Sequence, residues 1–199
     1  MAVLVFDLMD TVVTDPFYEA LPRYLGTTME ELLREKHPTS WLDFERGWIA
    51  EEAFLSQFYL PESGRTLADP LGLREIFYQY YAFVPGMEAL LGELKHAGYP
   101  LWVLSNYPVW FEHIRTKLDL DRFFSGYVVS YTCGVRKPDQ RCFQAFAERC
   151  RDADRKFILI DDREPNVLAA QKTGWEGILF TSAEGLRQEL SQLKLYNWP

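Results

Sequence analysis

The sequence is short of positive charge. Its 199 residues carry 21 Lys and Arg against 29 Asp and Glu, a net charge of −8 at pH 7. The acidic excess is spread along the chain. A protein that grips a phosphate backbone needs a basic face, so nucleic acid is not an expected partner. Long hydrophobic runs are missing too. No apolar stretch approaches the roughly 20 residues that span a bilayer, so no membrane span is expected. Cysteine is scarce. Cys133, Cys142 and Cys150 have no CxxC spacing and read as structural thiols in a reducing compartment. His37, His96 and His113 have no metal-ligand spacing either. The first residues, Met1–Asp7, show no basic leader and no Arg/Ser-rich leader. The expected location is therefore the cytoplasm, or the plastid stroma if the source is a plant or alga. There is no internal repeat and no low-complexity tract.

What is present is a hydrophobic half. Apolar residues make up 48% of the chain, enough for a full core without disulfide staples. Short apolar runs occur at Val3–Leu8, Leu101–Ser105, Tyr127–Tyr131, Phe157–Ile160 and Gly177–Thr181. Each is brief, continuous and bounded by turn residues, as strands buried on both faces are. Helical patterns lie between them at Gly86–Ala97, Pro108–Leu118, Pro138–Cys150 and Glu164–Thr173. The alternation predicts an α/β fold with a doubly wound parallel sheet. One interval breaks it. From Asp15 to Phe83 there is no strand signal, only helical stretches at Phe17–Leu25, Met29–Lys36, Ala50–Phe58 and Leu71–Ala82. This predicts a core of residues 1–14 and 84–199 with a small helical insertion, 15–83, over the sheet.

Open parallel sheets bind ligands at the carboxyl ends of their strands. Four polar clusters sit there. They are Asp7-Leu8-Met9-Asp10-Thr11, Ser105-Asn106, Arg136-Lys137-Pro138 and Asp161-Asp162-Arg163, the last followed by Asn166. The set suits phosphoryl transfer. A carboxylate can split hydrolysis into two steps through an acyl-phosphate. Carboxylate and phosphate repel, so a hard cation must lie between them, and Mg2+ takes carboxylate oxygens, phosphate and water. Asp7, Asp161 and Asp162 can supply those oxygens. Lys137 supplies fixed positive charge. The hydroxyls of Thr11 and Ser105 and the amide of Asn106 can donate to phosphate oxygens, and Asn166 can orient Lys137 or a metal-bound water.

These residues also resemble a known family, the haloacid dehalogenase superfamily. The likeness rests on four motifs in order: Asp7-Leu8-Met9-Asp10-Thr11, Leu104-Ser105-Asn106, Lys137-Pro138-Asp139 and Ile160-Asp161-Asp162. It spans nearly the whole chain. It implies that Asp7 is the nucleophile of an aspartyl-phosphate route, that the carbonyl of Met9 joins a Mg2+ shell, and that the insertion is a cap. The substrate would be a small phosphorylated metabolite and the protein a monomer or homodimer.

One position departs from the pattern. Phosphatases of this family usually carry a second aspartate two residues after the nucleophile, as proton donor to the leaving oxygen. Here it is Met9, and a thioether cannot donate a proton. Asp10, Glu45, His37 and a metal-bound water are the candidate substitutes. Two alternatives follow: a non-catalytic or regulatory binding protein on this fold, and a metal-independent 2-haloacid dehalogenase, whose halide leaves without a proton. The acidic pair Asp161-Asp162 favours phosphate.

A narrower resemblance rests on Asp7–Val13 with Asp15-Pro16-Phe17-Tyr18, Lys36-His37-Pro38 with Trp41, and Ser105-Asn106-Tyr107-Pro108. These stretches look like the flavin mononucleotide (FMN) hydrolases of plant chloroplasts and cyanobacteria, which share the Met. The likeness implies hydrolysis of FMN to riboflavin. Tyr18, Trp41, Phe44 and Trp48 in the insertion can offer flat apolar faces to such a ring, with His37 and Glu45 beside them.

Overall fold

The computed structural model describes residues 2–151, 155–193 and 195. Five strands form one parallel sheet: β1 (Val3–Phe6), β2 (Leu101–Ser105), β3 (Gly126–Val129), β4 (Phe157–Asp161) and β5 (Glu176–Leu179). Their spatial order is β3-β2-β1-β4-β5. β1 is therefore central, and the order reverses between β1 and β4. That reversal opens a crevice at the strand ends, where doubly wound sheets take ligands.

The period of two in a strand explains the layering. All four residues of β1 are fully buried. Leu4 and Phe6 join one apolar cluster, with Leu90 and Leu94 of α6 (Met87–His96), Ile114 of α7 (Phe111–Lys117) and Leu190 of α11 (Ala183–Gln192). Val3 and Val5 join the other, with Phe143 and Phe146 of α9 (Gln140–Cys150) and Ala170 of α10 (Glu164–Lys172). Helices thus cover both faces, as the continuous apolar runs predict.

The strand runs at β1 and β3 end earlier than their hydrophobic pattern. The run Tyr127–Tyr131 stops at Val129, where Ser130–Cys133 turns into the short helix α8. The run Val3–Leu8 stops at Phe6, because the next residues form a tight loop: the amides of Val12 and Val13 donate to the Leu8 carbonyl at 2.9 and 2.8 Å. Burial alone cannot distinguish a strand end from a buried turn.

Between β1 and α6 lie five helices: α1 (Ala20–Leu25), α2 (Met29–Glu35), α3 (Ser40–Glu45), α4 (Glu51–Ser56) and α5 (Pro70–Tyr80). The sequence reading lacks α3, although the equally short α1 and α4 fall within stretches it assigned as helical. The chain leaves the sheet and returns side by side. The amide of Thr14 donates to the Ala82 carbonyl at 2.9 Å and that of Val84 to the Val12 carbonyl at 2.9 Å. The inserted helices share the α6–α7 cluster. Trp110, 1% exposed and just before α7, meets Phe44, Phe54, Phe77 and Trp41 edge-on at centroid distances of 5.1–6.0 Å. Such aromatic pairs add about 0.5–1.5 kcal/mol each beyond area burial. Among the described residues, no helix is long and apolar enough to cross a membrane.

Candidate active site

Because β1 lies between β2 and β4, the residues at their carboxyl ends meet. Asp7 follows β1, Ser105 ends β2 and Asp161 ends β4. Lys137 arrives from the loop after α8. Its ammonium lies 2.8 Å from Asp7 Oδ1 and 2.5 Å from Asp161 Oδ2, with the side chain 1% exposed. A buried ammonium needs this: an unpaired one would be strongly unfavourable. Asn106 fixes the lysine's backbone from both sides. Its Nδ2 donates to the Lys137 carbonyl at 2.9 Å, and the Lys137 amide donates to its Oδ1 at 2.8 Å. The expected phosphate-directed amide is thus engaged with the lysine. Asn166 donates from Nδ2 to Asp161 Oδ1 and Oδ2 at 3.0 and 3.1 Å, and the Arg163 amide donates to Asp161 Oδ1 at 2.9 Å. So Asn166 orients Lys137 only through Asp161.

The electrostatics follow from three clustered carboxylates, two of which share the Lys137 ammonium. Burial works against the charge on Lys137, but Asp161 and Asp7 outweigh it and raise its pKa. Burial pushes the Asp7 carboxyl up; Lys137 pulls it back, and Asp161 adds repulsion. Asp162 is pushed up to about 7 by burial and then by Asp7 and Asp161, with Arg163 opposing. A site in which carboxylates resist ionisation together is one that a cation stabilises.

The residues fit a hard divalent cation. Asp7, Asp161 and Asp162 each offer one oxygen, all within 4.8 Å of one another. The oxygens of Asp161 also accept from Lys137, Asn166 and the Arg163 amide. Asp162 differs: its Oδ1 is buried with no hydrogen-bond partner. Asp7, Asp161 and Asp162 can therefore all reach one ion, Asp162 with an oxygen that has no other partner. An all-oxygen donor set of few carboxylates matches Mg2+. Two hydroxyls of the motifs are also buried without partners, Thr11 Oγ1 and Ser105 Oγ. Buried hydroxyls without partners are uncommon, and both are free to donate to an incoming oxygen.

A cleft of about 190 Å³ opens over this rim. Met9, Asp10, Asn106 and Arg163 line it from the core. Phe17, Tyr18, Lys36, Trp41, Leu42 and Glu45 line it from the inserted segment. Of the expected substrate-facing residues, Tyr18 is at the cleft and 58% exposed. Trp41 reaches it but is boxed in by Phe44, Phe54, Phe77, Tyr107 and Trp110. Glu45 is 3% exposed and ion-paired with Arg136, with burial raising its pKa against that arginine. His37 is not brought to the cleft. Its Nδ1 accepts from the amides of Thr39 and Ser40 at 3.3 and 3.1 Å, so it caps the start of α3. Phe44 is buried in the aromatic cluster, and Trp48, 64% exposed, stacks under Arg46 instead of lining the cleft. Asp10 is exposed, in a left-handed turn (φ 53°), and its Oδ1 accepts from the Asp15 amide at 3.0 Å.

Arg136, Lys36 and Asp15 are among the cleft residues to which sequence reasoning assigned no site role. Arg136 adjoins Lys137 and was readable by adjacency. Lys36 is half-buried, and its ammonium has no partner among the described residues. Asp15 lies just past the first motif, beside Pro16, and reads as a turn residue.

Comparison with known proteins places this geometry. A family model described as haloacid dehalogenase-like hydrolase matches residues 1–174. A chloroplast flavin mononucleotide hydrolase of Arabidopsis thaliana is 36% identical over 193 residues, 97% of this chain and 78% of that protein. The sesquiterpene phosphatase astK of Aspergillus oryzae is 31% identical over 108 residues, 54% of this chain and 55% of that protein. Among solved structures, a HAD-family enzyme of Bacteroides thetaiotaomicron in complex with magnesium and inorganic phosphate has a TM-score of 0.67 at 19% identity, over 92% of this chain and 95% of that one.

Proposed function

The chain is a phosphatase of the haloacid dehalogenase-like hydrolase family, and on that premise we propose that it passes the phosphoryl group of a small phosphomonoester to Asp7 and then to water, with one Mg2+ held by Asp7 and Asp162. The observation that carries this reading is the unpartnered Asp162 Oδ1 beside a carboxylate whose other neighbour is the Lys137 ammonium. Asp7, Asp161 and Asp162 crowd their negative charge at the rim before any phosphate arrives, with Lys137 and Arg163 as the nearby cations. A bound Mg2+ would supply the positive charge that lets an anionic ester approach. The carbonyl of Met9 would join its shell.

The chain's own residues then divide the work. Lys137 fixes one oxygen of Asp7, which keeps the carboxylate in a single rotamer for attack by the other. Lys137 also remains as fixed charge near the phosphoryl oxygens. Ser105 and Thr11 donate to those oxygens. Asp161 and Asn106 hold Lys137, one by its ammonium and the other by its backbone. Residues 15–83 act as a cap that shields the reaction from water.

We further propose FMN as the first substrate to test. The named relative with 36% identity is an FMN hydrolase, and the cap side offers Phe17 and Tyr18 as apolar faces with the Lys36 ammonium beside them. Pockets for drug-sized ligands usually measure about 300–1,000 Å³. A cleft of about 190 Å³ takes the phosphate and first carbons, so a flavin ring would rest at the mouth against Tyr18. A panel of FMN, sugar phosphates and nucleotides, assayed with Mg2+ and with excess chelator, tests the reading. Phosphate release from at least one ester, lost on chelation, is expected. Release that persists at full rate in chelator would remove the cation, and inactivity on every ester would return the non-catalytic alternative.

A further inference from the structure

Met9 leaves the departing ester oxygen without a proton donor at the family's usual position. We propose that Asp15 is the general acid and base of this site. The inference rests on the phosphatase reading above and names the group which completes it.

Apart from Asp7 and Asp162, three carboxylates line the cleft: Asp10, Asp15 and Glu45. Glu45 is ion-paired with Arg136, which opposes the effect of burial on its carboxyl. Asp10 is exposed, and its Oδ1 is taken by the Asp15 amide. Asp15 stands apart. It lines the cleft; its Oδ1 accepts from the Phe17 amide at 2.9 Å, which fixes the side chain and leaves the second oxygen without a hydrogen-bond partner among the described residues. The backbone entering Asp15 is held by two hydrogen bonds, from the Asp15 amide to Asp10 Oδ1 and from the Thr14 amide to the Ala82 carbonyl.

Its surroundings favour the protonated form. Burial is the largest influence; Asp10 and Asp7 repel its charge, while the Phe17 amide and Arg163 oppose them, and the carboxyl is pushed up to about 6. On the side of α5 and β2, the hydroxyls of Tyr81 and Tyr107 are buried 2.7 Å apart, and Asp15 is among the groups that raise the pKa of each. These two phenols are neutral, so no cation on that side forces Asp15 to ionise. An acid near neutrality is suited to general catalysis at physiological pH.

The proton balance closes. As Asp7 attacks phosphorus and the P–O bond to the alcohol breaks, the Asp15 carboxyl gives its proton to the leaving oxygen. The products are aspartyl-phosphate, the free alcohol and the Asp15 carboxylate. That carboxylate then takes a proton from the water that attacks the aspartyl-phosphate. Phosphate leaves, and Asp7 and protonated Asp15 are restored.

The test compares leaving groups with Mg2+ present. An alkyl phosphate needs a proton on its leaving oxygen; p-nitrophenyl phosphate does not. In Asp15→Asn, kcat/KM for the alkyl ester should fall by about 10²–10⁴-fold, while kcat/KM for the nitrophenyl ester stays within roughly tenfold of wild type. The nitrophenyl ester should also give a burst of one nitrophenol per enzyme followed by slow turnover, because the base for the second step is missing. Asn can still accept from the Phe17 amide, and retained nitrophenyl activity reports a folded site. Asp15→Glu should recover part of the alkyl activity. Equal losses on both esters, or the same leaving-group dependence appearing in Asp10→Asn instead, would overturn the assignment. Asp7→Asn, expected to be inert on both, serves as the control for the phosphatase reading itself: full activity there would sink that reading independently of Asp15.

Discussion

The rim of the sheet and the inner face of the inserted helices build one cleft by different means. On the rim, each polar side chain has a polar partner or a polar task. Lys137, Asp7, Asp161, Asn166 and Asn106 form one hydrogen-bonded unit. On the insertion, side chains with the same potential for chemistry are mostly consumed by packing. Trp41 is locked among five aromatic rings, and His37 caps a helix. The lesson is that strand ends deliver function by topology, whereas a helical insert delivers it only through the few side chains its packing does not need, here Tyr18, Lys36 and Asp15.

The largest test of this contrast is Lys137→Met. It strips two buried carboxylates of their shared counter-charge, and breaking such pairs costs about 3–5 kcal/mol. Urea unfolding of the metal-free protein should register that loss, and turnover should fall with it; unchanged stability would mean the rim is not a single unit. On the insertion, Trp41→Ala should cost a similar about 3–5 kcal/mol from the aromatic core yet leave relative KM values among esters nearly unchanged. Tyr18→Ala should do the opposite: stability shifts by under about 0.5 kcal/mol, with KM rising severalfold for an ester with a ring and little for a small sugar phosphate. A reversed pattern would show that Trp41 reads substrate.

A smaller effect concerns Asp15 and pH. Its folded-state pKa, about 6 against a reference of 3.8, means that the folded protein keeps a proton that the unfolded chain releases between those values. Stability therefore falls as pH rises through that window and stays lower above it. Asp15→Asn removes the penalty. In chelator, the variant should be more stable than wild type by at most about 3 kcal/mol at pH 8, and the difference should shrink towards zero near pH 4. A difference that grows towards low pH would contradict the buried-acid description. The smallest effect is expected for Met9→Asp. If Asp15 already supplies the proton, adding an acid at position 9 raises kcat by less than about tenfold; a far larger gain would mean that the site lacks one.

Much of the rim was legible in the sequence because strand ends are marked by where an apolar run stops, and polar residues there converge in any doubly wound sheet. Asp7, Ser105, Lys137 and Asp161-Asp162 needed no other information. Their division of labour was not legible. Whether Asp161 or Asp162 keeps an oxygen for an ion depends on Asn166 and the Arg163 amide, which are tertiary contacts. The same holds for Asn106, whose amide also holds the Lys137 backbone. In the insertion, composition revealed aromatics and titratable groups but not their direction, since a six-residue helix such as α3 has too few turns to fix which side is inward. Asp15 resembles any Asp-Pro turn until the cleft around it is seen.

The central claim, that Asp7 receives the phosphoryl group with a cation shared by Asp162, is tested most directly by acid-quenching the enzyme during turnover and locating the phosphoryl adduct by peptide mass spectrometry. The account predicts an adduct on the peptide bearing Asp7, dependent on Mg2+ and absent in both Asp7→Asn and Asp162→Asn. An adduct on another residue, or one that forms equally well in chelator, would contradict it.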